Sequence, residues 1–319
     1  MDPITHGALG AACARGVLAK GNTGIVLIAG ALAGMAADLD VFIRSAGHPL
    51  LFFLYHRHFT HSLMFIPVGA FLIGLCLLLL LGRREPWKLV FAACLIGYST
   101  HGLLDACTSY GTLLYWPFSY TRISWDLISI IDPFFTFPLI LGVVWTIVHG
   151  KRIGVFVGLS IAMTFLLFNS LQHLRSLRAA ELFVQQNHLG LHHLRVMPKL
   201  MSSLNWRGIG RSERDFFAMD VSTPLLKRTT IQLKTHYPLM QAQYIPDYLR
   251  RSPTLMEDLG IFSWFSDYYS ILVNKQPLVL ADGRFLMDDR VNQALWSFAF
   301  LPNKTYAEEI RFLRIGREQ

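Results

Sequence analysis

The chain alternates long apolar runs with short polar joints until about residue 185, and then changes to the short, alternating runs of a water-soluble domain. Six apolar segments are predicted as helices. The first is Gly7–Ala19, rich in glycine and alanine, and the second is Thr23–Ala37, ending at Asp38. Both are shorter than the roughly 20 residues a perpendicular span needs. Either they extend past these bounds, or His6 and Asp38 lie below the membrane surface. Val41–Tyr55 reads as a connecting, re-entrant or interfacial segment. Thr60–Leu81 and Trp87–Cys107 follow as spans, the latter carrying His101 and Asp105 in its last turns. A polar and aromatic loop covers 108–126. The fifth segment is Leu127–His149, with Pro133 and Pro138 expected to bend it. The sixth is Ile153–Leu171, continuing as an amphipathic helix through Val184.

The predicted fold class is therefore mainly α: a polytopic transmembrane helical bundle of about six spans over 1–175, then a small soluble α+β domain over 176–319. Strand signals in the second domain include Thr229–Lys234 and Gln276–Leu280, with Ala281–Arg284 as a turn. Composition agrees. Of 319 residues, 53% are hydrophobic and only 16% charged, against roughly 25% charged in a soluble domain. Mean hydropathy is +0.39. The net charge of +8 reads as loops near anionic lipid, and no nucleic-acid-binding signature is found. Cys13, Cys76, Cys94 and Cys107 lie in or beside apolar runs and form no C-x-x-C pair, so they read as small buried hydrophobes. The N-terminus lacks the basic start of a cleaved signal peptide and is expected to be retained.

Short-loop basic residues set the expected orientation. Lys20, Arg83, Arg84, Lys88, Lys151 and Arg152 fall on one side, and Arg44, Arg57 and Arg122 on the other. The richer side is expected to be cytoplasmic. The candidate site residues and the C-terminal domain are then periplasmic, in a bacterial inner membrane.

The stretch His56-Arg57-His58-Phe59-Thr60-His61-Ser62 packs three imidazoles and a guanidinium at a membrane edge. Such groups are costly to leave without partners there. Matching polar pieces are His6, Asp38-Leu39-Asp40, and His101 with Asp105. His101 and Asp105 are four apart on a helix and share one face. They can ligate a metal together, or form a hydrogen bond between helices. Asp38 and Asp40 stand at a helix C-terminus, where the macrodipole disfavours carboxylates and a compensating cation is expected. The alternative is that they end the helix and face water. His6, Asp38, His56, His61, His101 and Asp105 are the candidate metal ligands, with His58 as a support or an exposed residue. Nitrogen and carboxylate donors without thiolate suit Zn²⁺, or else Mn²⁺ or Fe²⁺. The number of donors suggests two ions, an arrangement suited to phosphoester chemistry. Asp40 or Asp105 would orient the attacking water. Arg57 and Arg122 are candidate phosphate clamps, or else simply snorkel to the membrane surface. Asp126 and Asp132 are spare carboxylates, and Asp132 before Pro133 reads as a helix start.

These motifs resemble the YdjM-like family of membrane-bound metal-dependent hydrolases. The resemblance is carried by Thr5-His6, Asp38-Leu39-Asp40, His56-Arg57-x-x-Thr60-His61-Ser62, His101-x-x-Leu104-Asp105-x-x-Thr108-Ser109-Tyr110-Gly111 and Trp116-Pro117, and covers about residues 1–150. It implies that His6, Asp38, His61, His101 and Asp105 are metal ligands, and it implies a hydrolase similar to zinc-dependent phospholipase C. Ala37 stands where the family often has proline, and His58 has no counterpart in the motif. The expected substrate is a phospholipid or lipid-linked phosphoester. The competing readings are a membrane protein with a structural or transport metal site, and an interaction protein.

Overall fold

The computed structural model describes residues 1–80, 86–287 and 290–310; Leu81, Arg83 and Arg84, used above, lie outside the described residues. Each of the six apolar segments forms a helix. α1 (Pro3–Val17) starts after Asp2, whose carboxylate accepts the Thr5 N–H, and has proline in its first turn. α2 (Thr23–Met35) is capped by Asn22, which accepts the N–H groups of Gly24 and Ile25. It tightens into a 3₁₀ turn over Ala36–Phe42 that carries Asp38 and Asp40. The connecting segment contains the short helix α3 (Leu50–Tyr55). Two further 3₁₀ turns, Phe59–His61 and Leu63–Phe65, lead into α4 (Ile66–Leu80). α5 is Trp87–Ala106, α6 is Pro133–His149 and α7 is Ile153–Gln186.

Four stretches among the described residues are long and apolar enough to cross a membrane: Thr23–Phe42, Leu63–Leu80, Trp87–Ala106 and Ile153–Gln186. Length thus supports four of the six expected spans among the described residues. α1 has 15 residues and α6 has 17. At 1.5 Å per residue they are about 22 and 26 Å long, short of a hydrocarbon core of roughly 30 Å. The fifth segment is shorter than expected because Asp132 caps α6 through the Phe134 N–H, and Pro133 starts the helix instead of bending it; Pro138 lies inside it.

The chain forms two compact units. The first comprises Met1–Asp40, Arg57–Leu174 and Met197–Leu204; the second comprises Val41–His56, Arg175–Val196 and Asn205–Gln319. In the first unit, α1, α2 and α5 touch backbone to backbone through glycines. A Cβ on Gly10 would lie 2.3 Å from the Gly30 carbonyl oxygen, and one on Gly97 would lie 2.2 Å from the same atom. Small residues permit this approach in an environment where apolar burial alone does not bring helices together. It sets the N-terminal end of α1 beside the C-terminal end of α5, where the chemistry lies.

The second unit is α+β, as expected. β1 (His193–Pro198), β2 (Asn205–Arg211), β3 (Asp215–Ser222) and β4 (Thr230–Pro238) form one antiparallel sheet in that order. Fully buried Trp206 packs there with Val196, Met219, Val221 and Ala180. After α8 (Asp247–Arg250) and α9 (Pro253–Phe265) comes a second sheet. Its strands are β5 (Ser270–Lys275), β6 (Leu278–Asp282), β7 (Ser297–Phe300) and β8 (Glu308–Glu309). The expected turn follows β6, with Asp282 accepting the Arg284 N–H.

The glycine contact yields a prediction. Gly30→Val forces α1 and α2 apart and should cost about 1–3 kcal/mol. Gly260 on α9 faces open space, so Gly260→Ala should stabilise by about 0.5–1 kcal/mol. Thermal unfolding of detergent-purified variants checks both signs.

Candidate metal centre

Four side chains from separate parts of the chain meet in the first unit. Asp38 comes from the turn after α2, His61 from the turn before α4, and His101 and Asp105 from the last turns of α5. One donor atom of each lies within 4.8 Å of all the others. His61 Nε2 and His101 Nε2 are 3.0 Å apart. Asp38 Oδ1 is 3.5 Å from both. Asp105 Oδ2 is 3.3 Å from His61 Nε2 and 3.6 Å from His101 Nε2.

The far side of each imidazole fixes what the near side offers. His101 Nδ1 is 2.6 Å from the Gly34 carbonyl oxygen. A carbonyl only accepts, so Nδ1 donates and Nε2 presents a lone pair. His61 Nδ1 faces Asp40 Oδ2 at 3.2 Å, with the same consequence. Two lone pairs 3.0 Å apart, flanked by two carboxylates, need a cation or an added proton between them. A tetrahedral site with N and O ligands at 2.0–2.2 Å has edges of about 3.3–3.6 Å. The five edges given above run from 3.0 to 3.6 Å. Asp105 Oδ2 is buried and accepts no well-formed hydrogen bond. The donor set therefore fits a divalent metal ion. The side chains of His61, His101 and Asp105 have no solvent exposure while Asp38 keeps 17%, so the cluster opens past Asp38.

Asp40 stands behind His61 rather than among the converging donors. It is buried, and its Oδ2 also accepts from the Arg57 N–H at 2.9 Å and the Thr60 hydroxyl at 2.8 Å. In a 3₁₀ turn, residues two apart are separated by about 240° around the axis, which lets Asp38 and Asp40 face different sides of one ring. The Tyr98 hydroxyl donates to the Thr60 carbonyl and ties the turn to α5. Gly102 lets that turn approach, since a Cβ there would lie 2.2 Å from the His61 carbonyl oxygen.

The other candidates are placed as follows. His6 stacks on His101 with ring centroids 3.7 Å apart, and its Nε2 meets Asp105 Oδ1 at 3.1 Å. The Met1 amine meets the same oxygen. His6 thus engages Oδ1 of Asp105, the partner of the oxygen that meets His61 and His101. Arg57 is buried with Nε 3.1 Å from Asp105 Oδ2, donates to the Thr108 hydroxyl, and lies 4.7 Å from the Tyr110 ring centroid. Its φ of 61° is left-handed, a conformation that costs a side-chain-bearing residue energy and is held by these anchors. Arg122 donates to the Gly111 carbonyl and lies 5.2 Å from the Tyr110 centroid. Half-buried His58 lies against Trp116 and Tyr120. Burial, reinforced by the Arg122 charge, pushes its pKa below the usual histidine value. His56 belongs to the second unit, where its ring stacks on Phe52. Asp132 is the α6 cap, as expected, and Asp126 is buried in the loop before it. Gly34, Thr108 and Tyr110 were not singled out for a role. A carbonyl leaves no mark on residue type, whereas Thr108 and Tyr110 follow Asp105 within five residues and could have been read as its neighbours.

The sequence model of the YdjM inner membrane protein family matches residues 1–176. Neither a curated protein nor a solved structure matches the chain.

The geometry separates donors from supports. His61→Ala and Asp105→Ala should each remove bound metal from purified protein that still inserts in the membrane, as read by elemental analysis. Asp40→Asn should leave the metal in place but weaken its affinity by about 10–100-fold, the usual effect of losing a carboxylate behind a ligating histidine.

Proposed function

The chain belongs to the YdjM inner membrane protein family, and on that premise we propose that it is a membrane-bound metal-dependent hydrolase of phospholipid or lipid-linked phosphoesters. The observation that carries this reading is the convergence of two histidine nitrogens and two carboxylate oxygens, with no sulfur, at the end of a membrane helix. Zn²⁺ is the ion this donor set favours, with Mn²⁺ or Fe²⁺ as alternatives. When bound, such an ion polarises a phosphoryl group and makes a water molecule more acidic.

The chain's own residues supply the rest. Asp38, the ligand on the open side, is the one that can shift to admit substrate. Arg57 neutralises Asp105, and with Arg122 it brackets Tyr110, so that two guanidiniums stand along one wall. Planar guanidinium groups suit phosphate oxygens. Asp40 fixes the His61 ring and does not face the reacting region, so positioning rather than catalysis is its proposed role. A site at a helix end lets a headgroup approach while the acyl chains remain in the bilayer. We place this side on the periplasmic face because Lys20, Lys88, Lys151 and Arg152 occupy the opposite helix ends.

One observation favours a second reading, a structural metal site. Four protein donors already complete a tetrahedron, whereas a catalytic zinc keeps a position open.

A lipid-hydrolysis screen of the purified protein, with and without chelator, separates the two. The hydrolase reading predicts chelator-sensitive phosphoester cleavage. It also predicts that Arg122→Gln lowers turnover by about a hundredfold with metal content unchanged. Bound metal without cleavage of any lipid phosphoester, together with loss of folding on metal removal, would establish the structural reading.

A further inference from the structure

The first unit carries a second feature, at the end remote from the metal cluster. α6 and α7 cross with their backbones in contact: a Cβ on Gly142 would lie 2.5 Å from the Gly154 carbonyl oxygen, and one on Gly158 would lie 2.5 Å from that of Pro138. The glycines leave a cleft of about 440 Å³ whose walls include Leu141, Trp145, Val157 and Ile161. Its lining is almost wholly apolar, and these four side chains are exposed along its length. A cleft of this size is within the range of small-ligand sites, and its occupant in a bilayer is a hydrocarbon chain.

The cleft runs up to the α6–α7 turn, His149-Gly150-Lys151-Arg152. The His149 ring stacks on Trp145 at 4.0 Å. Arg152 donates to the Gly16 carbonyl, which brings this turn beside the end of α1, and Arg15 binds the carbonyls of Leu18 and Ala19 there. Lys20 sits in the next turn, and Gly21 beside it packs on Leu89 near the start of α5, where Lys88 lies. Arg15, Lys20, Lys88, Lys151 and Arg152 thus gather at one end. The described carboxylates of this unit are Asp2, Asp38, Asp40, Asp105, Asp126 and Asp132, and all belong to the metal-bearing end or its caps. Among the described residues, the basic end has no acidic counterpart.

An apolar cleft for one chain and a basic mouth beside it complement the two parts of one molecule. We propose that the α6–α7 cleft binds an acyl chain of an anionic phospholipid, with the phosphate of its headgroup held by Lys151 and Arg152. This site is distinct from the metal cluster and does not depend on the hydrolase reading. Together these two basic residues should enrich such a lipid at least about fivefold.

Trp145 reports on the cleft directly. The full-length protein is reconstituted in phosphatidylcholine vesicles containing an equal fraction of either brominated-chain phosphatidylglycerol or brominated-chain phosphatidylcholine. The Trp145 contribution is the fluorescence difference between the wild type and Trp145→Phe. The expected result is about fivefold stronger binding of the anionic quencher at Trp145, reduced to parity in Lys151→Gln/Arg152→Gln with metal content unchanged. If the Arg152 change disrupts folding, exposed Lys151→Gln alone should still lower the preference at least twofold. Equal quenching by both lipids in the wild type, or a preference unmoved by Lys151→Gln, would overturn the proposal and leave ordinary boundary lipid in the cleft.

Discussion

The first unit depends on an arrangement that is unfavourable without a partner: two imidazole nitrogens facing each other at 3.0 Å. Each ring is held from behind, His101 by the Gly34 carbonyl and His61 by Asp40. Neither can turn away without leaving a buried donor unsatisfied, which costs about 1–3 kcal/mol. Two carboxylates stand on either side of the pair. The fold thus places four electron-donating atoms around one point and fixes their orientation through neighbouring residues. A divalent cation resolves all of these repulsions together.

The scaffold that imposes this arrangement is made largely of glycine. α1, α2 and α5 meet at backbone distance around Gly10, Gly30 and Gly97, and the His61 turn meets α5 at Gly102. This close contact brings residues distant in sequence, such as His6 and His101, into ring stacking. Asp38 and Asp40 are divided between two tasks by the tightening of α2 into a 3₁₀ turn. One faces the cluster's open side, and the other holds a ring in place. Among the described residues, the carboxylates of the unit gather at the cluster's end, with Arg57 and Arg122 beside them, and Arg15, Lys20, Lys88, Lys151 and Arg152 gather at the other.

Much of this was legible in the sequence. Apolar run length located all six helices, and the i, i+4 spacing of His101 and Asp105 put both on one face of α5. Asp132 before Pro133 announced the start of α6, and the continuation of the sixth segment into an amphipathic stretch appeared as one helix, α7. Hydropathy did not fix the ends of α6, because the Asp132 cap and Pro133 set where it starts. Residue type alone put His6 among the ligands with the four converging residues and gave Asp40 the task of orienting water. The distinctions came from the oxygen of Asp105 that His6 engages and from the side of the His61 ring that Asp40 occupies. Those are facts of orientation, which spacing along a chain does not encode.

The most direct test of the central claim is X-ray absorption spectroscopy at the zinc edge of the zinc-loaded, full-length protein. The account predicts a shell of nitrogen and oxygen alone at about 2.0–2.2 Å, with the multiple scattering of two imidazoles. A shell containing sulfur, or one of light atoms with no imidazole scattering, would contradict it.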